Sequence, residues 1–446
     1  MSIILQLVMR KRATYRKVVS VNKIETTVLI PGDKSISHRI ALLGSLSNGI
    51  SKVRNFSPGI DCLSTLSCLQ ALGIQIDTIE NDKGILSIHG MGRYGFIEPS
   101  RTLKAGNSAT TIRLLSGILA AQPFQSRING DKSLCSRPMG RLIEPLRLMG
   151  ADIHGIKHDS FAPLVIRGTK LYGIDYVMPI ASAQIKSALL LATLFAETKT
   201  TITENYPSRD HTERLLETMG AHIERCDTTI TLSPLNNDLS PVSISIPGDI
   251  SAAAYWLVLG AIHPCAKVEI RNCGINKTRS GILDVLLGMG AKLSVYNCRD
   301  EGSETLADIY VESSALRGVE ITRNLVPRLI DEIPVLTVAA CMAKGTTIIR
   351  GAEELRVKES DRISTLVLEL SRMGANIEEL PDGMVIQGGT SLRGGEVDSH
   401  LDHRLAISLA IAGFVAQGET IIYNTHVTDI SYPGFWNQLG KLGCSI

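Results

Sequence analysis

Six times along the chain a helical pattern ends in Leu or Met, a glycine and a short strand-like run: "CLQALGIQI", "PLRLMGADI", "LLETMGAHI", "LLGMGAKLSV", "ELSRMGANI" and "QLGKLGCSI". The glycines Gly73, Gly150, Gly220, Gly290, Gly374 and Gly443 recur about every 70 residues, a spacing longer than solenoid repeats but regular enough to mark an internal repeat. Each suits the left-handed residue that closes an amphipathic helix, and each precedes an alternating strand. Upstream, every unit adds a strand and a polar loop, as in "KVEIRNCGINKTRSGIL" and "TTIIRGAEELRVKESDRISTL". The plan is strand, polar loop, helix, glycine, strand. A chain of 446 residues exceeds what one core usually serves, so two α/β domains of roughly 200 residues, with three units each, are expected.

This plan puts charged and hydroxylic side chains between a strand and a helix start, where unpaired N–H groups and the helix dipole point outward. A second helix type is nearly free of charge: "SAQIKSALLLATLFAE", "SAAAYWLVLGAI", "DEIPVLTVAACMAKG" and "DHRLAISLAIAGFVAQG". These are expected to be buried, yet three open on polar groups: Gln184, Asp331, and His403 with Arg404.

The net charge is only +2, which excludes bulk attraction to nucleic acid or a membrane surface and makes any electrostatic specificity local. Nine scattered cysteines without CxxC pairs or zinc spacing read as a reduced, intracellular protein with no structural metal. In "MSIILQLVMRKRATYRK" the apolar run is too short for a signal sequence and its basic residues follow that run, so a basic leader is expected, with an organelle transit segment as the alternative. No stretch of 18 uninterrupted apolar residues follows, and no membrane span is expected.

Local chemistry gathers in a few loops. "PGDKSISHRIALL" offers Asp33 as a helix cap, with Lys34, Ser35 and Arg39 in the first turns, a set suited to a phosphate dianion. "AGNSATTIRLLSG" places Asn107, Ala109 and Thr110 ahead of Arg113 at a second candidate anion-binding helix start. "SRPMGRL" offers Arg137 before a proline, "PSRDHTERLL" offers Ser208 and Arg209, and "RLIDEIPVL" sets Asp331 at the head of an apolar segment. "RVKESDR" sets Glu359 between Lys358 and Arg362, which favours its carboxylate form, so proton transfer through it requires burial or substrate charge to oppose them. Each loop alone also reads as a solvated salt-bridge cluster. Together they describe a strongly electropositive site with two carboxylates for proton transfer, and the sequence carries neither a Walker lysine motif nor a dinucleotide GxGxxG after a strand.

"PGDKSISHR", "AGNSATTIRL", "SRPMGRL", "SAQIKSALLLA", "RVKESDR" and "LDHRLAISLA" stand in the order of the 5-enolpyruvylshikimate-3-phosphate synthase family, which the chain resembles from about Val21 onward. The resemblance implies an inverse α/β barrel fold of two domains, each of three βαβαββ units. The first spans 33–247; the second combines 1–32 with 248–446, and the active site lies in the cleft between them. It also implies transfer of the enolpyruvyl group of phosphoenolpyruvate to the 5-hydroxyl of shikimate 3-phosphate, with release of phosphate, by a cytoplasmic monomer without cofactor or metal. By motif, shikimate 3-phosphate would meet Lys34, Ser35, Arg39, Ser182, Ala183, Gln184, Arg209, Asp331 and Lys358. Phosphoenolpyruvate would meet Lys34, Asn107, Ala109, Arg137, Gln184, Arg362 and Arg404. Lys34, Asp331 and Glu359 would be catalytic, Asp331 taking the proton of the attacking hydroxyl and Glu359 protonating the methylene carbon.

Two positions depart from the family pattern. Ile430 stands where many members carry lysine, and Glu354 where many carry asparagine. Members sensitive to the inhibitor glyphosate usually have glycine in place of Ala109, and the added methyl is expected to discriminate against the longer ligand by about 1–3 kcal/mol. Two rival readings make different demands. The sister transferase acting on UDP-N-acetylglucosamine uses a reactive cysteine, for which Cys135 is the nearest candidate; a non-enzymatic repeat scaffold would disperse the charged loops over the surface.

Overall fold

A computed structural model describes residues 14–79 and 84–443. Residues 1–13 of the expected basic leader, and the strand expected after Gly443, lie outside the described residues. Apolar side chains fall into two cores. One gathers residues from Ile36 to Ile246; the other joins Val18, Ile24, Val28 and Ile30 to residues from Ile250 to Leu439. The chain therefore crosses between two lobes twice, and the crossings lie side by side. Asp33 N–H donates to Pro247 O at 2.8 Å, and Asp249 N–H to Pro31 O at 2.9 Å.

Among the described residues, twelve α-helices of six or more residues alternate with strands. They are α1 (Lys34–Ser45), α2 (Ile60–Ala71), α3 (Ala109–Leu119), α4 (Gly140–Leu148), α5 (Ala183–Thr193), α6 (His211–Thr218), α7 (Ile250–Ile262), α8 (Gly281–Gly288), α9 (Ile333–Met342), α10 (Arg362–Arg372), α11 (His403–Val415) and α12 (Phe435–Gly440). The odd-numbered helices are inner helices, buried along nearly their whole length. Four of them are the charge-poor helices of the sequence. The other two, α1 and α3, escape that pattern because Lys34, His38, Arg39 and Arg113 interrupt it, although His38, Arg39 and Arg113 are themselves buried.

The even-numbered helices are the ones that end at the repeat glycines. All six glycines adopt φ between 85° and 97°. The residue after the glycine donates its N–H to the carbonyl of a leucine five positions back: Ile74 to Leu69, Ala151 to Leu146, Ala221 to Leu216, Ala291 to Leu286 and Ala375 to Leu370, at 2.9–3.0 Å. This bond satisfies a carbonyl that the helix end would otherwise leave unpaired. The same leucines are fully buried, so each turn is fixed by a core contact as well as by its backbone.

Strand pairing repeats with the helices. Leu103–Lys104 runs parallel to Gln125–Asn129, which is antiparallel to Phe161–Arg167, itself antiparallel to Asp152–Gly155. The sheets led by Asp175–Met178 and Glu320–Ile321 have the same order and directions. The remaining sheets borrow strands across the chain. Ser243–Ser245 completes the first sheet of the first lobe beside Asn48–Arg54, and Ile24–Leu29 runs parallel to Ala266–Gly274 in the second lobe. Tyr15–Val19 pairs antiparallel with Glu419–Tyr423. The molecule is thus an α/β structure of six repeated sheet-and-helix units.

Two glycines at the end of α8 separate backbone conformation from space. A methyl at Gly290 would meet nothing closer than Ala315 O at 3.8 Å, yet its φ of +87° is costly for any other residue; Gly288 has open space and no positive φ. Gly290→Ala is expected to destabilise by about 1–2 kcal/mol, whereas Gly288→Ala is expected to stabilise by about 0.5 kcal/mol. Urea unfolding midpoints of the two variants test this, and equal midpoints would contradict it.

Candidate active site

The inner helices of both lobes direct their N-terminal ends into one interlobe cavity of about 290 Å³. Lys34 and Ser35 come from α1, Ala109 and Thr110 from α3, Ala183 and Gln184 from α5, Ser251 and Ala252 from α7, and His403 and Arg404 from α11, while Asp331 lies two residues ahead of α9. Side-chain caps fix four of these ends by taking up one first-turn donor each. Asp33 accepts from Ile36 N–H (3.0 Å), Ser108 from Thr111 N–H (3.1 Å), Asp249 from Ser251 N–H (2.8 Å) and Asp402 from Arg404 N–H (2.8 Å). The first-turn donors and the helix dipoles therefore face the cavity. Eleven lysines and arginines line it against six carboxylates, so the cavity is electropositive in a nearly neutral protein.

Ion pairs between the lobes partly offset that charge. Asp331, beside α9, pairs with Arg209 from the first lobe, and its Oδ2 lies 3.4 Å from Arg404 Nη2. Burial alone would raise the Asp331 carboxyl, but Arg404, Arg209, Lys358 and Arg362 hold it well below the usual carboxylate range. Glu359, just ahead of α10, accepts from Arg362 Nη2 (2.5 Å) and from Arg137 Nη1 of the first lobe (3.2 Å). Burial opposes ionisation there too, and Arg362 and Arg137 override it. Arg362 is 1% exposed and touches both carboxylates, since its Nη1 is 3.5 Å from Asp331 Oδ1. Asp402 anchors it from behind, accepting from Nε at 2.8 Å.

The first-lobe wall is a connected network. Arg209 Nη1 donates to Ser35 Oγ (3.2 Å), and Arg39 donates to Thr212 Oγ1 (2.7 Å), Ser187 Oγ (2.8 Å) and Ser35 O (2.9 Å). Burial, reinforced by Arg209, pushes the Arg39 guanidinium down to about 10. Lys34 Nζ donates to Asp61 Oδ2 at 2.9 Å. Gln184 accepts from Arg113 (2.5 Å) and donates to Thr110 (3.0 Å). Lys358 lies on the second-lobe side, and burial pushes its ammonium down to about 8 despite Asp331 and Glu354 nearby.

All the candidate residues from the sequence line the cavity except Asn107. Asn107 stands one step behind the wall, where its Oδ1 accepts from Arg137 Nη2 at 2.7 Å and its Nδ2 donates to Asp131. It therefore acts on the cavity through Arg137, because the capped start of α3 turns Ala109 and Thr110 inward and leaves Asn107 outside the first turn. Lys358 and Glu359 lie ahead of the helix, since α10 begins only at Arg362.

Several lining residues lie outside the binding and catalytic sets that the resemblance implies. Arg279 and Arg141 both reach the cavity. His403 is buried with both ring nitrogens unpartnered among the described residues, and burial, with Lys34 nearby, holds it well below the usual histidine range. The two departures resolve differently. Glu354 pairs with Arg141 across the lobes at 2.7 Å, and Ile430 stays outside the lining while Ser431 and Tyr432 enter it.

The charged loops converge, which removes the dispersed scaffold reading. Cys135 lies outside the lining, with Sγ against Asn129 Oδ1 (3.0 Å) and Gly130 O (3.5 Å). Among the described residues no cluster of His, Cys, Asp and Glu is arranged to hold a metal, and no helix is long and apolar enough to cross a membrane.

Comparisons with known proteins agree over nearly the whole chain. Residues 18–439 match the family model described as EPSP synthase (3-phosphoshikimate 1-carboxyvinyltransferase). The 3-phosphoshikimate 1-carboxyvinyltransferase of Herpetosiphon aurantiacus is 48% identical over 422 residues, 94% of this chain and 97% of the relative. That of Bacillus cytotoxicus is 50% identical over 416 residues, 93% and 97% of the two chains. A solved structure of EPSP synthase from Acinetobacter baumannii aligns with TM-score 0.84 at 40% identity, covering 96% of this chain and 98% of that one. Fold, cavity and sequence agree that the chain belongs to the EPSP synthase (3-phosphoshikimate 1-carboxyvinyltransferase) family.

Proposed function

We infer that this chain transfers the enolpyruvyl group of phosphoenolpyruvate to the 5-hydroxyl of shikimate 3-phosphate, releasing phosphate, in the shikimate route to aromatic amino acids. The observation that carries the reading is the position of Arg362, whose guanidinium touches Asp331 and Glu359 at once. A base and an acid are thereby held at one anion site.

Lys34, Ser35, Arg39, Ser182, Ala183, Gln184, Arg209, Asp331 and Lys358 form the proposed shikimate 3-phosphate surface. Lys34, Ala109, Arg137, Gln184, Arg362 and Arg404 form the phosphoenolpyruvate surface, with Asn107 holding Arg137. Without substrate the arginines keep both carboxylates ionised. Phosphoenolpyruvate brings a carboxylate and a phosphate that compete for Arg137, Arg362 and Arg404, and Glu359, buried and deprived of them, gains proton affinity. Its proton passes to the methylene carbon as the 5-oxygen bonds to the neighbouring carbon and Asp331 accepts the hydroxyl proton. The tetrahedral adduct then loses a methyl proton to Glu359 as its carbon–oxygen bond to phosphate breaks, with Lys34 beside the departing anion. Holding both anions in contact and excluding water supplies much of the rate.

The split of the apolar side chains into two cores supports domain bounds of 33–247 and 1–32 with 248–446. We place the enzyme in the cytoplasm as a monomer without cofactor.

Phosphate release with shikimate 3-phosphate and phosphoenolpyruvate, against UDP-N-acetylglucosamine as acceptor, tests the assignment. Release with the first pair only is expected, and abolished by Glu359→Gln; no release with shikimate 3-phosphate would overturn it.

Ala109 begins α3 and lines the cavity. Glyphosate, longer than phosphoenolpyruvate, should be accommodated there only under strain. Ala109→Gly is expected to tighten glyphosate inhibition about 10- to 100-fold, and equal inhibition of both forms would contradict this.

The Lys358 ammonium at about 8 adds a pH dependence. Above that pH the free enzyme loses a cation that the substrate phosphate needs, so kcat/KM falls, and Lys358→Arg, which stays charged, should move that alkaline limb upward. An unmoved limb would assign it to another group.

A further inference from the structure

One buried cation in the cavity wall has no part in the scheme above. Arg279 lies just ahead of α8 and is 3% exposed. Its Nη2 donates to Ser251 Oγ (2.9 Å) and Asp249 Oδ1 (3.1 Å) and lies 3.7 Å from Asp33 Oδ2. Asp33 and Asp249 cap α1 and α7 and stand at the two places where the chain crosses between lobes. Nη1 lies 3.8 Å from Asp331 Oδ2, and neither Nη1 nor Nε has a hydrogen-bond partner among the described residues, although both are buried. One edge of the guanidinium is clamped to the crossings while Nη1 is left free beside the candidate base.

The groups around Asp331 are Arg209, Arg404, Lys358, Arg362 and Arg279, with Glu332 as the adjacent like charge. Those around Arg279 are Asp33, Asp249, Asp331 and Glu332, with Arg39 nearby and His211 facing Asp33. On the proposed function, on which this inference rests, the anionic substrates recruit Arg209, Arg404, Lys358 and Arg362. Arg279 cannot follow, because Asp249 and Ser251 hold its Nη2.

We propose that Arg279 is the positioning residue of Asp331, the cation that keeps this carboxylate ionised and aimed once the substrates have engaged the others. It binds neither substrate, so its removal affects the chemical step and leaves substrate binding intact. Losing a cation beside a carboxylate raises that carboxylate's pKa, so the acid limb of kcat must move to higher pH.

The test measures phosphate release from shikimate 3-phosphate and phosphoenolpyruvate by the wild type, Arg279→Gln and Arg279→Lys as a function of pH. Arg279→Gln is expected to lower kcat about 10- to 100-fold, to leave both KM values within about threefold and to move the acid limb up by about one pH unit. Arg279→Lys, which restores charge without the fork, should return the limb to its place and recover kcat in part. Raised KM with unchanged kcat, or a lower kcat with an unmoved limb in Arg279→Gln, would overturn the proposal. Should Arg279→Gln fail to fold by near-ultraviolet circular dichroism, Arg279→Lys decides alone: reduced kcat at constant KM supports the proposal, and wild-type kcat overturns it. An inactive wild type would overturn the proposed function itself, whereas an active wild type with indifferent variants removes only Arg279.

Discussion

Six helix starts directed at one cavity create an electrostatic problem that the rest of the molecule is arranged around. Each contributes roughly half a positive charge at its end, and arginines and lysines from both lobes add to it. Left alone, this arrangement would repel itself apart. Carboxylates placed among the cations prevent that, and three of the pairings run between lobes: Arg137 with Glu359, Arg209 with Asp331, and Arg141 with Glu354. Charges buried this way are expensive unless paired, so closure of the lobes and ionisation of these carboxylates support each other.

The repeat is what makes such convergence possible. Outer helices end in the same leucine-anchored glycine turn, which returns the chain to its sheet and releases the next inner helix in a comparable orientation. The cavity residues stand at the starts of both helix types: Lys34, Gln184 and Arg404 open inner helices, whereas Arg137, Arg209, Glu359 and Arg362 lie just ahead of or at the start of outer ones, away from the glycine turns. The two interlobe crossings sit beside the same cavity, and Asp33 and Asp249 serve as both crossing residues and helix caps. A motion of one lobe is thereby coupled to the helix ends that shape the site.

Local features were legible in the sequence. Gly73 through Gly443 announce the turns because only a residue without a side chain takes their backbone conformation cheaply, and Lys34, Arg137 and Glu359 stand in motifs whose spacing matches their place at a helix start or beside proline. What was not legible depends on long-range contact. Arg279 in "NKTRSG" reads as a surface turn until Asp33 and Asp249 are seen beside it. The helices α1 and α3 hide their burial behind cations that are satisfied only in three dimensions. Asn107 shares the "GNSATT" run with Ala109, yet only Ala109 and Thr110, past the cap at Ser108, line the cavity.

The central claim is that substrates and internal carboxylates compete for the same arginines. The most direct measurement is a crystal structure of the complex with shikimate 3-phosphate and an unreactive phosphoenolpyruvate analogue. Arg137 and Arg362 are expected on the analogue's anionic oxygens, Arg209 on shikimate 3-phosphate, and their pairs with Glu359 and Asp331 opened beyond hydrogen-bond reach, with Arg279 drawn onto Asp331. Ligands bound with those arginine–carboxylate pairs intact would contradict it.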